Sequence, residues 1–223
     1  MIGLRYSRKS RDGLRLISVA ALFGLAGICH AQSSAKVQDT GVDANPPSIT
    51  TCVACHGALG AGTVSGGPRL AGKDPDYLAH ALAMFKAGTR ASDAMQAVAR
   101  NLSDNDIHKL AMFFSRQNPP LAAGAAPPSQ SLVIAGKQLA EMGAGPDVLA
   151  CFSCHAAGGK GNGARFPGIA GEPAAFVVAR LHEFQSRAKG KMPAPGSMTA
   201  VAAMLSDTQI EEAAAYLSVT RPR

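Results

Sequence analysis

The sequence predicts an all-α protein built from two tandem helical domains of similar sequence. Three observations predict this class. The motif C-x-x-C-H occurs once in each half, at residues 52–56 (CVACH) and 151–155 (CFSCH). The sequence after each motif repeats at an offset of 99, so that Pro68 corresponds to Pro167. Apolar residues in both halves recur at helical spacing behind residues that commonly cap helices.

The N-terminal 31 residues have the pattern of a cleaved secretory signal. Five basic residues precede an apolar run over residues 16–28, which is too short to span a bilayer comfortably. Cys29 and Ala31 follow this run; both are small residues, and they occupy the two positions that a signal peptidase inspects. We expect cleavage after Ala31. The alternatives are a retained N-terminal anchor or, less favoured because bulky Ile28 precedes it, a lipid anchor on Cys29.

The basic charge of the chain gives no support for a nucleic-acid partner. The formal net charge is +7, and loss of five basic residues and one acidic residue with the signal would lower it to +3. The same cleavage would remove Cys29, the only cysteine outside the two motifs. No cysteine would then remain for a structural disulfide.

Residues 32–118 form the predicted first domain. After the motif, a glycine-rich loop over residues 57–67 leads to a helix that Asp74 caps and that stops at Gly88. Ser103 is predicted to cap the last helix of this domain, and its apolar face is formed by Ile107, Leu110, Ala111 and Phe114. Residues 119–130 are rich in proline and alanine and form a semi-stiff linker.

Residues 131–223 form the predicted second domain. It repeats the first, with four additional residues before Met198, so that Met198 follows Met95 by 103 positions. Ser206 and Gln209 predict a capping box at the start of the final helix. Residues 132–142 predict a further helix ahead of the second motif, whereas the prolines at 46 and 47 leave no room for a counterpart in the first domain.

The C-x-x-C-H spacing is the attachment signal for covalent c-type haem. Two thiols at this spacing can each form a thioether with one porphyrin, and the adjacent histidine can ligate the iron. The sequence therefore predicts two covalently bound haem c groups and a site of attachment in the periplasm. The predicted attachment residues are Cys52, Cys55, Cys151 and Cys154, and the predicted iron ligands are His56 and His155. The weaker alternatives are one zinc bound by four cysteines, or two redox dithiols.

A methionine is the expected second iron ligand in each domain, since a thioether favours the reduced metal and closes the sixth position. The repeat selects Met95 in the first domain and Met198 in the second. Met192, in the inserted stretch, is the main rival of Met198. The other candidates are Met84 and Met112, which are predicted to be packing residues, with Met142 and Met204. His80, His108 and His182 have no repeat-matched histidine and are expected on helix surfaces.

With these residues the chain resembles the di-haem class I cytochromes c of the cytochrome c4 family, from about residue 51 to the C-terminus. The resemblance rests on CVACHG, PRLAG and MQAVARNLSD, and on CFSCH, PGIAG and MTAVAAMLSD in the second half. It implies two cytochrome c folds with His–Met ligation. It further implies electron transfer between respiratory donors, such as a cytochrome bc1-type complex, and a terminal oxidase, with peripheral contact to membrane complexes.

Three functions follow from this sequence. The favoured one is a periplasmic electron carrier without catalytic residues. The alternative is the electron-accepting di-haem subunit of a periplasmic dehydrogenase of the flavocytochrome type. A peroxidase or thiosulfate-oxidising enzyme ranks last. Such an enzyme needs an open coordination position on one iron, whereas both halves offer a methionine that can occupy it. Arg187, Lys189 and Lys191 are a possible docking patch, or simply a solvated basic loop.

Overall fold

Short helices follow one another in the same order in both repeats. The computed structural model describes residues 49–122, 126–190 and 192–222; the predicted signal and most of the lead before the first motif lie outside these ranges. The helices are α1 (Ile49–His56), α2 (Pro75–Lys86), α3 (Asp93–Ala99), α4 (Asp104–Ser115), α5 (Gln130–Met142), α6 (Cys151–His155), α7 (Ala174–Ala188), α8 (Met198–Ala203) and α9 (Asp207–Val219). The prediction of an all-α fold is confirmed.

The predicted caps are present. The Asp74 carboxylate accepts hydrogen bonds from the backbone N–H groups of Asp76 and Tyr77, both at 3.0 Å. Ser103 begins α4 with a capping box, and Ser206 and Gln209 form the predicted one at α9. Such bonds satisfy backbone donors that have no partner within a helix, and each cap is worth about 1 kcal/mol.

The methionine segments are more helical than the sequence indicates. The sequence places Met95 just before a helix, but it lies inside α3, and Met198 is the first residue of α8. Serine caps explain both short helices. The Ser92 hydroxyl accepts from the N–H of Met95 at 3.3 Å, and the Ser197 hydroxyl accepts from the N–H of Ala200 at 3.2 Å. Each cap fixes the backbone beside a predicted iron ligand.

The helix predicted over residues 132–142 is present as α5, which crosses α9 at very short range. A Cβ atom added at Gly136 would lie 1.9 Å from the carbonyl oxygen of Glu212, so only glycine allows this approach. The core of the second repeat gathers around this crossing, with Ile210 and Leu139 almost fully buried. Within the described ranges, no helix is both long and apolar enough to cross a membrane.

All described residues belong to one compact unit, and the two repeats meet through equivalent positions. The ammonium group of Lys73 lies 2.5 Å from the carboxylate of Glu172, 99 positions later. The Arg69 N–H donates to Glu172 at 2.9 Å, while Lys73 donates to the carbonyl of Gly168, the equivalent of Arg69, at 2.6 Å. Such reciprocal contacts are those of an approximate two-fold axis.

Arg69 ties the linker to this junction. Its side chain is 1% exposed, and its guanidinium donates to the carbonyl oxygens of Pro119 at 2.9 Å and of Pro120 at 3.2 Å. A third bond reaches Ala71. The start of the linker is therefore fixed against the first repeat, close to the ion pair that joins the repeats.

Candidate functional site

Each C-x-x-C-H motif lies on a helix that ends at its histidine. In α6 the thiols of Cys151 and Cys154 are three residues apart, which places them on one face of the helix, and α1 does the same for Cys52 and Cys55. The chain leaves both helices with positive φ, at 73° for Gly57 and 59° for Ala156. This sharp exit leads into a one-turn 3-10 helix in both repeats.

Both motif histidines are buried and held by one hydrogen bond. His56 Nδ1 lies 2.9 Å from the carbonyl oxygen of Pro68, and His155 Nδ1 lies 2.7 Å from that of Pro167. A carbonyl can only accept, so Nδ1 carries the proton and Nε2 keeps its lone pair for a metal. Burial lowers the pKa of both histidines, which favours the neutral imidazole that a metal requires.

One cysteine of each motif is in an environment that disfavours a thiolate. Burial raises the pKa of Cys52 and of Cys151, whereas a reactive dithiol or a zinc ligand needs the thiolate form. Among the described residues, no group of three or more His, Cys, Asp or Glu side chains is placed to hold a metal ion. The two cysteine pairs are thus not brought together as a shared zinc site would need.

A cavity of about 530 Å³ lies beside the second motif. Cys151, Cys154, His155 and Met198 line it together, and apolar side chains such as Leu181 cover much of the remaining wall. Its volume is within the range of about 300–1,000 Å³ that is usual for ligand pockets. Paired thiols, a histidine with a free Nε2 and a thioether around one apolar cavity fit a covalently attached haem. Haem supplies a reversible one-electron couple when bound.

The rival methionine is placed differently. Met192 is 97% exposed and is not part of the cavity lining, whereas Met198 is partly buried and lines it. Met95 is partly buried on α3 of the first repeat. This arrangement supports Met198 over Met192, and the ligation of iron by Met95 and Met198 stays a prediction.

The basic stretch considered as a docking patch is described only in part, and its role in docking stays a prediction. Arg187 pairs with Glu183 on the same helix, so it is not available as a free charge. Lys189 is exposed, and Lys191 lies outside the described residues. The remaining histidines, His80, His108 and His182, are exposed, in agreement with the expectation.

Comparisons with known proteins match this architecture. Residues 48–114 match the family described as "Cytochrome C oxidase, cbb3-type, subunit III", and residues 133–220 match "Cytochrome c". The predicted boundaries at 118 and 131 enclose these ranges and stay predictions. The "Thiosulfate dehydrogenase electron acceptor" of Thiomonas intermedia is 34% identical over 92% of this chain and 90% of its own length.

The cytochrome c4 of Azotobacter vinelandii is 31% identical over 91% of this chain and 96% of its own length. The chain belongs to the cytochrome c4 family. A crystal structure of reduced cytochrome c4 from Pseudomonas stutzeri matches 78% of this cytochrome and 95% of that chain, with a TM-score of 0.69 and 31% identity.

Family membership confirms the main sequence predictions. The protein is a di-haem cytochrome c with two covalent haem c groups, one for each cytochrome c domain. It is an electron carrier, as its cytochrome c4 homologues are. Sequence reasoning missed the charged contacts between the repeats. The sequence shows only that Lys73 and Glu172, of opposite charge, occupy equivalent positions after PRLAG and PGIAG; it does not show that they touch.

One position of this cytochrome c4 stores backbone strain. Ala156 has φ 59° and ψ 164°, a region that is essentially restricted to glycine and costs about 1–3 kcal/mol for other residues. We expect Ala156→Gly to stabilise the holoprotein by about 1 kcal/mol, because the gain exceeds the entropic cost of glycine, about 0.4–1 kcal/mol. Denaturant unfolding measures this directly.

The equivalent position in the first repeat is the matched control. A Cβ atom at Gly57 would lie 2.5 Å from the carbonyl oxygen of Gly62, so Gly57→Ala should destabilise the protein. Equal unfolding midpoints for Ala156→Gly and the wild-type protein would show that the turn carries no strain.

Proposed function

We propose that this cytochrome c4 carries single electrons in the periplasm, between a respiratory donor such as a cytochrome bc1-type complex and a terminal oxidase or other acceptor. In this proposal both irons have His–Met ligation, and neither binds a substrate. The attachment residues are Cys52, Cys55, Cys151 and Cys154, and the iron ligands are His56, Met95, His155 and Met198. The observation that carries the proposal is that Met198 and the fixed His155 line one apolar cavity.

The residues of the chain act here by holding geometry. The carbonyl of Pro167 fixes the ring orientation of His155, and the Ser197 cap fixes the backbone at the start of α8. The apolar side chains that line the cavity, such as Leu181, would exclude water from a haem held there. A site closed on both faces needs little rearrangement when its charge changes, which suits rapid electron transfer. Contacts with redox partners of this kind are small and weakly bound.

Carbon monoxide tests whether the sites are closed. We expect the reduced native protein to leave both haems free of carbon monoxide, and to show no turnover with hydrogen peroxide or thiosulfate when no partner is present. Rapid binding of carbon monoxide to one haem, together with turnover of either substrate, would contradict the carrier proposal and favour an enzyme.

A second candidate is the electron-accepting subunit of a periplasmic dehydrogenase. It is favoured by the relative named as a thiosulfate dehydrogenase electron acceptor, whose identity of 34% exceeds the 31% of the Azotobacter cytochrome c4. Gel filtration of the exported protein at low and at high salt separates the two functions. A carrier should elute alone at high salt, because its contacts are screened. A stable subunit should remain bound to its dehydrogenase.

A further inference from the structure

The cavity of the second repeat has a basic side, to which the first repeat contributes. The charged side chains that line it are Lys73, Arg90, Arg165, Arg180, Arg187 and Glu172. Lys73 and Glu172 pair with each other across the repeats. Arg180 and Arg187 share the carboxylate of Glu183. In the described part of the chain, the lining therefore carries a surplus of positive charge.

Arg90 comes from the first repeat, and one of its guanidinium donors lacks an acceptor. Its Nε atom is buried and has no hydrogen-bond partner within the described residues. Its guanidinium carbon lies 4.7 Å from the centre of the Phe85 ring, and its backbone carbonyl accepts from the Gln96 amide at 2.9 Å. These contacts hold the residue in place, but they leave a buried donor unpaired. A buried donor of this kind is destabilising unless an acceptor is supplied.

Arg90 and Arg180, which belong to different repeats, line the same cavity. Burial, and secondarily the positive charge of Arg90, lower the pKa of the Arg180 guanidinium. Arg180 stacks on Phe184, with its guanidinium carbon 4.4 Å from the ring centre, as Arg90 stacks on the equivalent Phe85. The unpaired Nε of Arg90 and a second arginine at the wall of the same cavity provide donors that suit a carboxylate bound there.

We infer that Arg90, together with Arg180, binds the propionate carboxylates of the haem in the second repeat. The first repeat thus supplies part of the second haem's site. This inference rests on the proposed attachment of that haem at Cys151 and Cys154. Arginine suits the role because its planar fork of donors matches a carboxylate. The buried position of Nε favours a carboxylate inside the cavity over an acidic side chain of a redox partner.

The test is the reduction potential of each haem in the Arg90→Gln holoprotein. Loss of a nearby positive charge disfavours the added electron, so the potential of the second haem should fall. We expect the equilibrium constant for its reduction to drop about threefold to tenfold, where tenfold is about 59 mV for a one-electron couple. The two haems are distinguished by their haem methyl signals in nuclear magnetic resonance spectra. The variants Met95→Ala and Met198→Ala assign these signals, because each should change the signals of one haem.

Two further variants keep the result interpretable. Arg100→Gln removes the same charge from an exposed position at the end of α3, and should leave both potentials unchanged. Arg90→Lys keeps the charge without the fork of donors, and should recover most of the lost potential. An unchanged second-haem potential in Arg90→Gln would overturn the inference, and so would a fall confined to the first haem.

The same preparations separate the inference from the attachment proposal. Haem content by pyridine haemochrome reports on attachment independently of the potentials. Two haems per chain with an unchanged second-haem potential would refute only the role of Arg90. Fewer than two haems per chain in the wild-type protein would show that the two motifs do not both carry a haem. A weaker affinity for a redox partner with unchanged potentials would assign Arg90 to docking, and so reject the inference.

Discussion

Replacement of Met198 by alanine is expected to lower the reduction potential of the second haem by about 120 mV or more, a hundredfold change at about 59 mV per tenfold. The thioether of methionine stabilises the reduced metal, and the identity of the axial ligand sets potentials over a range of about 0.8 V. Met198 begins α8 and lines the cavity with His155. The measurement is a spectroelectrochemical titration of the purified variant.

Met192 and Met95 provide the controls for this variant. Met192→Ala should leave both potentials unchanged, because that side chain is 97% exposed. Met95→Ala should lower the potential of the first haem instead of the second. If Met192→Ala lowers the second potential and Met198→Ala does not, the assignment of the ligand is wrong.

Removal of the carboxylate from Glu172 is expected to destabilise the protein by about 3–5 kcal/mol, the usual effect of leaving a buried charge without its partner. Lys73 and Glu172 have side chains only 7% and 5% exposed, so water cannot replace the lost partner. Glu172→Gln keeps an acceptor for the N–H of Arg69. The change therefore tests the charge rather than the shape, and denaturant unfolding of the holoprotein measures it.

The double variant Lys73→Met with Glu172→Gln removes both charges and should recover much of this stability, since neither charge is then left unpaired. The pair formed by Lys86 and Asp104 is the exposed control, with Asp104 96% exposed. Lys86→Met should cost about 1 kcal/mol or less. An equal loss of unfolding free energy in Glu172→Gln and Lys86→Met would show that the buried pair between the repeats stabilises the protein no more than an exposed pair does.

The local features could be predicted from the sequence because their causes are local. Asp74, Ser103 and Ser206 cap helices through bonds to residues two or three positions away, and the sequence contains both partners. The repeat also selects Met198, because its offset of 103 from Met95 can be read directly from the amino-acid sequence. The short helix around Met95 was not predicted, although Ser92 three residues earlier is its cap and was the available signal.

The contacts between the repeats could not be predicted, because they depend on how the two domains dock. Lys73 meets Glu172 only when the repeats face each other around an approximate two-fold axis. The same docking brings Arg90 to a cavity built mostly by the second repeat. A repeat in the sequence indicates which positions are equivalent, but it does not indicate which of them touch. These long-range charges are therefore the part of the site that only the fold provides.

We propose that each repeat holds one haem c whose iron is ligated by a histidine and a methionine. A redox titration of the exported protein with optical detection, combined with haem content by pyridine haemochrome, tests it most directly. We expect two haems per chain, both low-spin in both oxidation states, and the weak far-red band of methionine ligation. One haem per chain, or one haem that is high-spin in the native protein, would contradict it.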